Sequence, residues 1–382
     1  MLNLLEAPYF IEAGDCQNIS AMKNLSKQSF ARKSLINTAL KIFLLLTSLT
    51  CSFVLCESVF RYKIKAYPFE QKIKTFPHLS SKDDNLRWRY PPGERTNSLG
   101  LRNREITKKE AHHSRILFLG DSLIWSGETS SGELYTQVVE RNLNDEPSLA
   151  GKQIEIINAG IPGYTTYQEL EFLKIYGLDM EPDLVVLGFV FNDLYYKYLH
   201  KPVEGNFLGP DPTVQLHRFD THSFPGTLFA RSYLAHRSFY ALERFAKKNR
   251  GDPHFDFERR DDFYLAWKDY GWNETTVLIG EMKELLQKKN IQLMVMVFPI
   301  ADQLDDNYLR IDKDYVLYPQ QRIKRICDDY HIPFLDLTET LYQNGGTNLS
   351  GDGIHLNGKG NDIVANEATN YLVNSASVWL NK

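Results

Sequence analysis

Short apolar runs alternate with segments of helical period along most of the chain after residue 112. The runs at 116–119, 154–157, 184–191, 291–298 and 334–337 carry apolar residues at nearly every position. Strands of that kind are buried on both faces, which predicts a parallel sheet with helices on each side. Helical periodicity fills the intervals at 133–143, 166–176, 275–289, 319–330 and 360–380. Five strands alternating with helices through right-handed crossovers predict a doubly wound α/β sandwich over 113–382.

Two stretches break this rhythm. Residues 57–112 lack periodicity and collect Pro68, Pro77, Pro91 and Pro92, the pattern of a stalk or arm. Residues 194–272 carry Tyr195, Tyr196 and Tyr198, a Gly/Pro cluster at 205–213 and an aromatic, basic segment at 228–248. They read as an insertion with its own small core, or as a lid over the carboxyl ends of the strands, where ligands bind in such sheets. In that segment Phe229, Tyr233, Arg237, Tyr240 and Arg244 form a stripe that faces a core or a membrane surface.

The N-terminal region is of another kind. Between residues 34 and 56 the only charge is Lys41, and 42–56 is uncharged throughout. A spanning helix needs ~20 apolar residues and a signal-peptide core ~7–15, so the stretch reads as a signal anchor or a cleaved signal. No A-x-A-like cleavage site follows, which favours an uncleaved, single-pass transmembrane anchor over 34–56. Five basic residues lie on either side, at 22–41 and 57–76, so charge bias assigns no orientation. Residues 1–33 are a cytoplasmic tail or include a mis-assigned start: 1–21 hold three acids and no base, whereas Met22-Lys23 opens a basic region.

Composition removes several classes of function. Forty-four Lys and Arg against 48 Asp and Glu give a net charge of -4, without the basic excess of a nucleic-acid footprint. Four cysteines, three of them (Cys16, Cys51 and Cys56) near the N-terminus, leave Cys327 without a partner in the main body, so no disulfide scaffold is expected. The chain has no G-x-G-x-x-G or P-loop sequence, and no His/Cys/Asp/Glu cluster of recognisable ligand spacing. Neither cofactor nor metal is expected.

Four motifs carry candidate chemistry. Gly120-Asp121-Ser122-Leu123 follows the first strand, where a serine hydroxyl at the carboxyl edge of a parallel sheet is placed to attack a carbonyl; G-D-S is also a good turn or cap. Asn158-Ala159-Gly160-Ile161-Pro162-Gly163 ends the second strand with glycines that let backbone approach a ligand, or that merely make a turn. Gly188-Phe189-Val190-Phe191-Asn192-Asp193 ends the third, with an asparagine able to donate its amide or to form a turn. Asp352-Gly353-Ile354-His355 lies in a polar loop before the last helix, and a carboxylate three residues before an imidazole can reach its Nδ1. Asp328-Asp329-Tyr330-His331 has the same spacing, but its place at a helix end before the fifth strand puts it at the amino end of the sheet.

Taken in order, these motifs resemble the SGNH hydrolase superfamily, the GDSL esterases and lipases, from about residue 97 to the C-terminus. The resemblance implies a flavodoxin-like sheet, with Ser122 as nucleophile, His355 as base and Asp352 as its partner. It implies an oxyanion hole from Ser122, Gly163 and Asn192, with Gly160 the alternative to Gly163. Asn97-Ser98-Leu99-Gly100-Leu101-Arg102 also looks like membrane-anchored members. GFVFND departs from the shorter GxND, which puts the role of Gly188 in doubt. The implied activity is hydrolysis of acyl esters, O-acetyl or lipid, glycan or small molecule, by a membrane-tethered, extracytoplasmic enzyme. The alternatives are a polysaccharide O-acetyltransferase on the same site and a catalytically silent carbohydrate-binding protein.

Overall fold

The computed structural model describes residues 14–65, 86, 89–195, 232, 234, 253–259 and 263–380. The stripe of Phe229, Tyr233, Arg237, Tyr240 and Arg244, and with it the lid reading, lies outside them. Contacts divide the chain into two units, which part between Lys63 and Ile64.

The described residues of the first unit lie in one long helix, α1 (Gly14–Lys65), which ends two residues into the second. Its 25-residue segment Leu35–Val59 reaches a mean hydropathy of 2.1 in an 18-residue window that holds no buried residue. At ~1.5 Å rise per residue that length covers about 38 Å, enough for a hydrocarbon core of ~30 Å. The hydroxyls of Thr47, Thr50 and Ser58 donate to the carbonyls of Phe43, Leu46 and Val54 one turn back, so no hydroxyl of the three needs a water partner. Length and composition fit a membrane anchor and an export signal alike.

The second unit is a sheet of five parallel strands, β1 (His113–Gly120), β2 (Gln153–Gly160), β3 (Leu184–Phe189), β4 (Gln292–Val297) and β5 (Phe334–Asp336), in the order β2-β1-β3-β4-β5. This is the flavodoxin-like order, whose switch point lies between β1 and β3. Every residue of β3 and the last six of β1 are buried, as strands covered on both faces require. The helices are α2 (Ser122–Trp125), α3 (Tyr135–Asp145), α4 (Thr166–Phe172), α5 (Pro253–Arg259), α6 (Trp272–Gln287), α7 (Asp306–Val316), α8 (Tyr318–Asp329), α9 (Thr338–Asn344), α10 (Gly358–Asn374) and α11 (Ala376–Trp379).

Periodicity located α3, α4, α6, α8 and α10 to within a few residues. The expected helix at 360–380 breaks at Ser375, which separates α10 from α11. α4 runs on through a π-turn, Leu173–Gly177, which covers the rest of the expected span. α7 was not expected: Asp312 leaves helical geometry inside it (φ -155, ψ 82), so no unbroken apolar stripe marks it. α2 and α9, of four and seven residues, are too short to show a period.

Segments outside the alternating rhythm join the same core. Phe257, Phe263, Leu265 and Trp267, from the stretch that reads as an insertion, are buried in the main cluster, where Trp267 meets Phe191 and Phe257. Leu86 and Leu101 from the arm are also fully buried there. Arg115 on β1, 1% exposed, pairs with Glu155 on β2 and donates to the Thr107 carbonyl, tying arm to sheet.

Candidate functional site

Gly120, Gly160 and Gly188 stand level with one another at the carboxyl ends of β1, β2 and β3. A Cβ on Gly120 would come within 2.3 Å of Ile124 Cγ1, one on Gly188 within 2.3 Å of Ile124 Cδ1, and one on Gly160 within 2.5 Å of the Trp125 backbone nitrogen. The three glycines make the floor on which α2 rests, with Ile124 pressed into it. Asp121 caps α2, accepting the Leu123 N–H at 2.9 Å, and Ser122 is its first residue, half-buried. Asn158, 1% exposed, pins the turn from below by donating to the Ile124 carbonyl at 2.8 Å.

The arm braces the same turn from outside. Arg102 donates to the Trp125 carbonyl at 3.0 Å and pairs with Glu128, while Tyr90 stacks on the Trp125 ring with centroids 4.2 Å apart. This is the structural use of the arm residues 97–102, whose Asn97 side chain organises the local loop by accepting from the N–H groups of Leu99 and Leu101.

From the far end of the chain, the loop before α10 brings His355 across the sheet. Asn361 holds it there: its amide donates to the Glu128 and Leu356 carbonyls, at 2.9 and 3.1 Å. His355 Nε2 lies 2.9 Å from Ser122 Oγ, and its Nδ1 lies 2.6 Å from Asp352 Oδ2. Asp352 Oδ1 accepts the backbone N–H groups of Ile354 and His355, at 2.9 and 2.8 Å. Burial alone would raise the Asp352 carboxyl, but the imidazole and the two N–H groups outweigh it and hold it at about 2. An ionised Asp352 puts the proton of a neutral His355 on Nδ1 and leaves the Nε2 lone pair facing Ser122.

Asn192 donates through Nδ2 to Asp121 Oδ2 at 3.2 Å, which fixes which end of its amide faces the serine turn. Ser122 Oγ also lies 3.2 Å from Asp121 Oδ2, so the carboxylate stands beside both the Ser122 turn and the asparagine. Burial raises the Asp121 carboxyl, against the hydrogen bonds from Leu123, Asn192 and Ser122. Gly163, exposed, has φ +78, a left-handed conformation suited to glycine. The Gly160 N–H is taken by the Asn158 side-chain oxygen at 3.0 Å, whereas Gly163, the other glycine of that motif, is exposed.

His331 is exposed beyond the end of α8, and its N–H bonds back to Asp328 O. Its region precedes β5, whereas Ser122 follows β1, so the two lie at opposite ends of parallel strands. Sequence reasoning missed Asp121 as a hub, and with it Asn158 and Asn361, because their work is to hold backbone groups distant in sequence. Among the described residues, Glu110, His112 and His113 have donor atoms within 4.8 Å of one another that could hold a metal. They stand at the start of β1, at the other end of that strand from Ser122.

A doubly wound parallel sheet with a serine, an imidazole and a carboxylate in line at its carboxyl edge defines a class of α/β ester hydrolases. The sequence profile of the GDSL-like lipase/acylhydrolase family matches residues 118–363, more than half of the chain, so this chain belongs to that family and is a carboxylic ester hydrolase. Similar solved structures include the acetyl xylan esterase AlAXEase, at 19% identity over 66% of this chain and 97% of that one, with a TM-score of 0.38. A catalytic mutant of the acetylxylan esterase Axe2 from Geobacillus stearothermophilus aligns at 15% identity over 68% and 94% of the two chains, TM-score 0.41. The lipase/acylhydrolase from Enterococcus faecalis aligns at 14% over 68% and 96%, TM-score 0.37. No curated protein matches the chain by sequence.

Proposed function

We propose that the chain hydrolyses acyl esters, O-acetyl or lipid, through a Ser122 acyl-enzyme, with His355 as general base and Asp352 as its partner. The observation that carries this reading is the unbroken line from Ser122 Oγ through His355 to Asp352, at 2.9 and 2.6 Å. His355 Nε2 takes the Ser122 proton as Oγ attacks the carbonyl carbon. The tetrahedral oxyanion rests on the backbone N–H groups of Ser122 and Gly163 and on the Asn192 amide. Collapse breaks the bond to the alcohol, which leaves with the proton from His355. Water, deprotonated by the same nitrogen, then releases the acid and restores Ser122. Each oxyanion donor is worth ~2.7–4 kcal/mol of barrier, so Asn192→Ala should lower turnover by about a hundred- to a thousand-fold.

The apolar segment Leu35–Val59 supports a single-pass anchor, and we place the catalytic unit outside the cytoplasm. That location offers ester substrates on envelope glycans or lipids.

The test uses the full chain in detergent, wild type beside Ser122→Ala, on p-nitrophenyl acetate and longer acyl esters, with intact mass to catch the adduct. Loss of turnover and adduct in Ser122→Ala is expected, and the preferred chain length separates an acetyl esterase from a lipase. Full activity in Ser122→Ala would overturn the mechanism. An adduct on Ser122 that sugar discharges faster than water would make the enzyme an O-acetyltransferase.

A further inference from the structure

Three carboxyl groups with no exposed surface lie behind the nucleophile: Asp121, Glu169 and Asp193, each 0% exposed. α4, which carries Glu169, packs against both β1 and the turn after β3. Hydrogen bonds are shared among them unequally. Asp121 accepts two, from the Leu123 N–H and Asn192 Nδ2, and Ser122 Oγ lies 3.2 Å from its Oδ2. Asp193 accepts one, from the Val190 N–H at 2.9 Å on Oδ2, and its Oδ1 has no donor. Glu169 has no donor on either oxygen. Among the described residues no Lys, Arg or His pairs with any of the three.

Buried charges of one sign, without a counter-charge, cannot all persist; charge stays where donors stabilise it and protons bind elsewhere. Asp121 has the donors, and Glu169 has none. We propose that Glu169 is a neutral carboxylic acid at neutral pH whose O–H donates to Asp193 Oδ1, so that α4 fixes the turn from which Asn192 reaches Asp121. Burial pushes Glu169 well above the usual carboxylate range and the charge of Asp121 adds to it; Asp193 is raised by burial, by Glu169 and by Asp121. Asp121 faces Glu169 from the end of β1 and Asp193 from the turn after β3. Tyr135 on α3 faces Asp121, and its phenol is raised by burial and by that carboxylate. Glu169 is thus a positioning residue, and its consequence for catalysis rests on the reading of Asn192 as an oxyanion donor.

The experiment compares the full chain in detergent as wild type, Glu169→Gln, Glu169→Ala and Asn192→Ala. In infrared spectra at neutral pH, the wild type should show the C=O stretch of a buried protonated carboxyl group, absent from Glu169→Gln. Glutamine keeps a donor for Asp193, so kcat should stay within about threefold, whereas Glu169→Ala should lose about ten- to a hundred-fold at nearly constant KM. The folded state keeps a proton that the unfolded chain releases above the ordinary carboxylate range. Wild-type stability should therefore fall as pH rises, with a slope one proton steeper than that of Glu169→Gln. An unchanged infrared spectrum in Glu169→Gln would overturn the neutral acid, and an unchanged kcat in Glu169→Ala would overturn the positioning role. Glutamine as damaging as alanine, with wild-type activity dependent on added Na+, K+ or Ca2+, would instead make the cluster an ionised cation site and refute the proposal. Full activity in Asn192→Ala would refute the oxyanion reading alone, since the infrared band is read without turnover.

Discussion

Replacing Asp352 by asparagine should damage the enzyme more than replacing it by alanine. In the native loop Asp352 Oδ1 accepts two backbone N–H groups and Oδ2 faces His355 Nδ1 at 2.6 Å. An amide has a single oxygen, and it belongs with the two N–H donors, because an NH2 there would face both of them. That leaves the NH2 opposite Nδ1, which must then present its lone pair. The imidazole proton moves to Nε2, where it faces Ser122 Oγ and blocks general-base action. Alanine leaves the imidazole free to choose its tautomer and removes only the charge and the loop contacts. The charge effect has an upper bound in the carboxyl's fall from 3.8 to about 2, which the two N–H groups share with the imidazole. At 1.36 kcal/mol per unit that is ~2.4 kcal/mol before screening. The Asp352 side chain is 56% exposed, and solvent screening reduces the figure to about 1 kcal/mol, a five- to tenfold effect. Asparagine adds the wrong tautomer, a defect that costs serine hydrolases of this design about 10⁴ in turnover. The assay is kcat on p-nitrophenyl acetate for both variants, with thermal unfolding to establish that each is folded. Asparagine equal to or better than alanine would refute the reasoning, since it would mean that the two N–H groups do not dictate the orientation at position 352.

Other consequences are simpler to measure. Because the folded Asp352 carboxyl lies below its unfolded value, its contribution to stability is present above about pH 4 and lost as pH falls through about 2; the Tm difference between wild type and Asp352→Ala should close across that window. Arg115→Ala leaves the buried Glu155 with Arg104 alone, at 3.6 Å, and frees the Thr107 carbonyl, and should cost about 3 kcal/mol in denaturant unfolding. Gly160→Ala drives a methyl group into the Trp125 backbone nitrogen, so it should cost about 1–3 kcal/mol and lower kcat by shifting Ser122. His331→Ala should leave kcat/KM unchanged, because His331 is exposed beyond α8.

The sheet was legible because strands buried on both faces leave nearly continuous apolar runs: β1, β3 and β4 have them unbroken, and β2 and β5 are interrupted only at Glu155 and Asp336. The candidate site was legible only as far as a residue's own neighbours announce it. Asp352 and His355 are three residues apart and bond to each other, so their spacing carries the relation. Glu169 is buried at 0% yet lies in TYQELEF, a segment that reads as an ordinary amphipathic helix. Its neighbours Asp121 and Asp193 come from the ends of two other strands, and no local pattern brings the three together. The packing of the arm was left open by the sequence for the same reason: its prolines speak of extended backbone, while the contacts of Arg102 and Tyr90 with Trp125 belong to the folded unit.

The glycines of the first three motifs connect these levels. Read singly, Gly120, Gly160 and Gly188 suggest turns or close approach of a ligand, yet each faces Ile124 or its neighbour Trp125 instead. Parallel pairing in register puts them side by side, and a row without side chains across three strands is a shallow trough at the carboxyl edge. α2 can then lie low on the sheet, with Ser122 as its first residue and with Asn192, from the turn after β3, bonded to its cap Asp121. A side chain at any of the three positions would lift the turn and pull Ser122 from His355, whose position is set independently by Asn361 and the loop before α10. The longer third motif, GFVFND, keeps Gly188 in the row; the turn after β3 is closed by Asp193 on the Val190 N–H and carries Asn192 to Asp121. Gly188 thus supports the Ser122 turn through packing, and Asn192 reaches Asp121, so the added residues between them disturb neither contact.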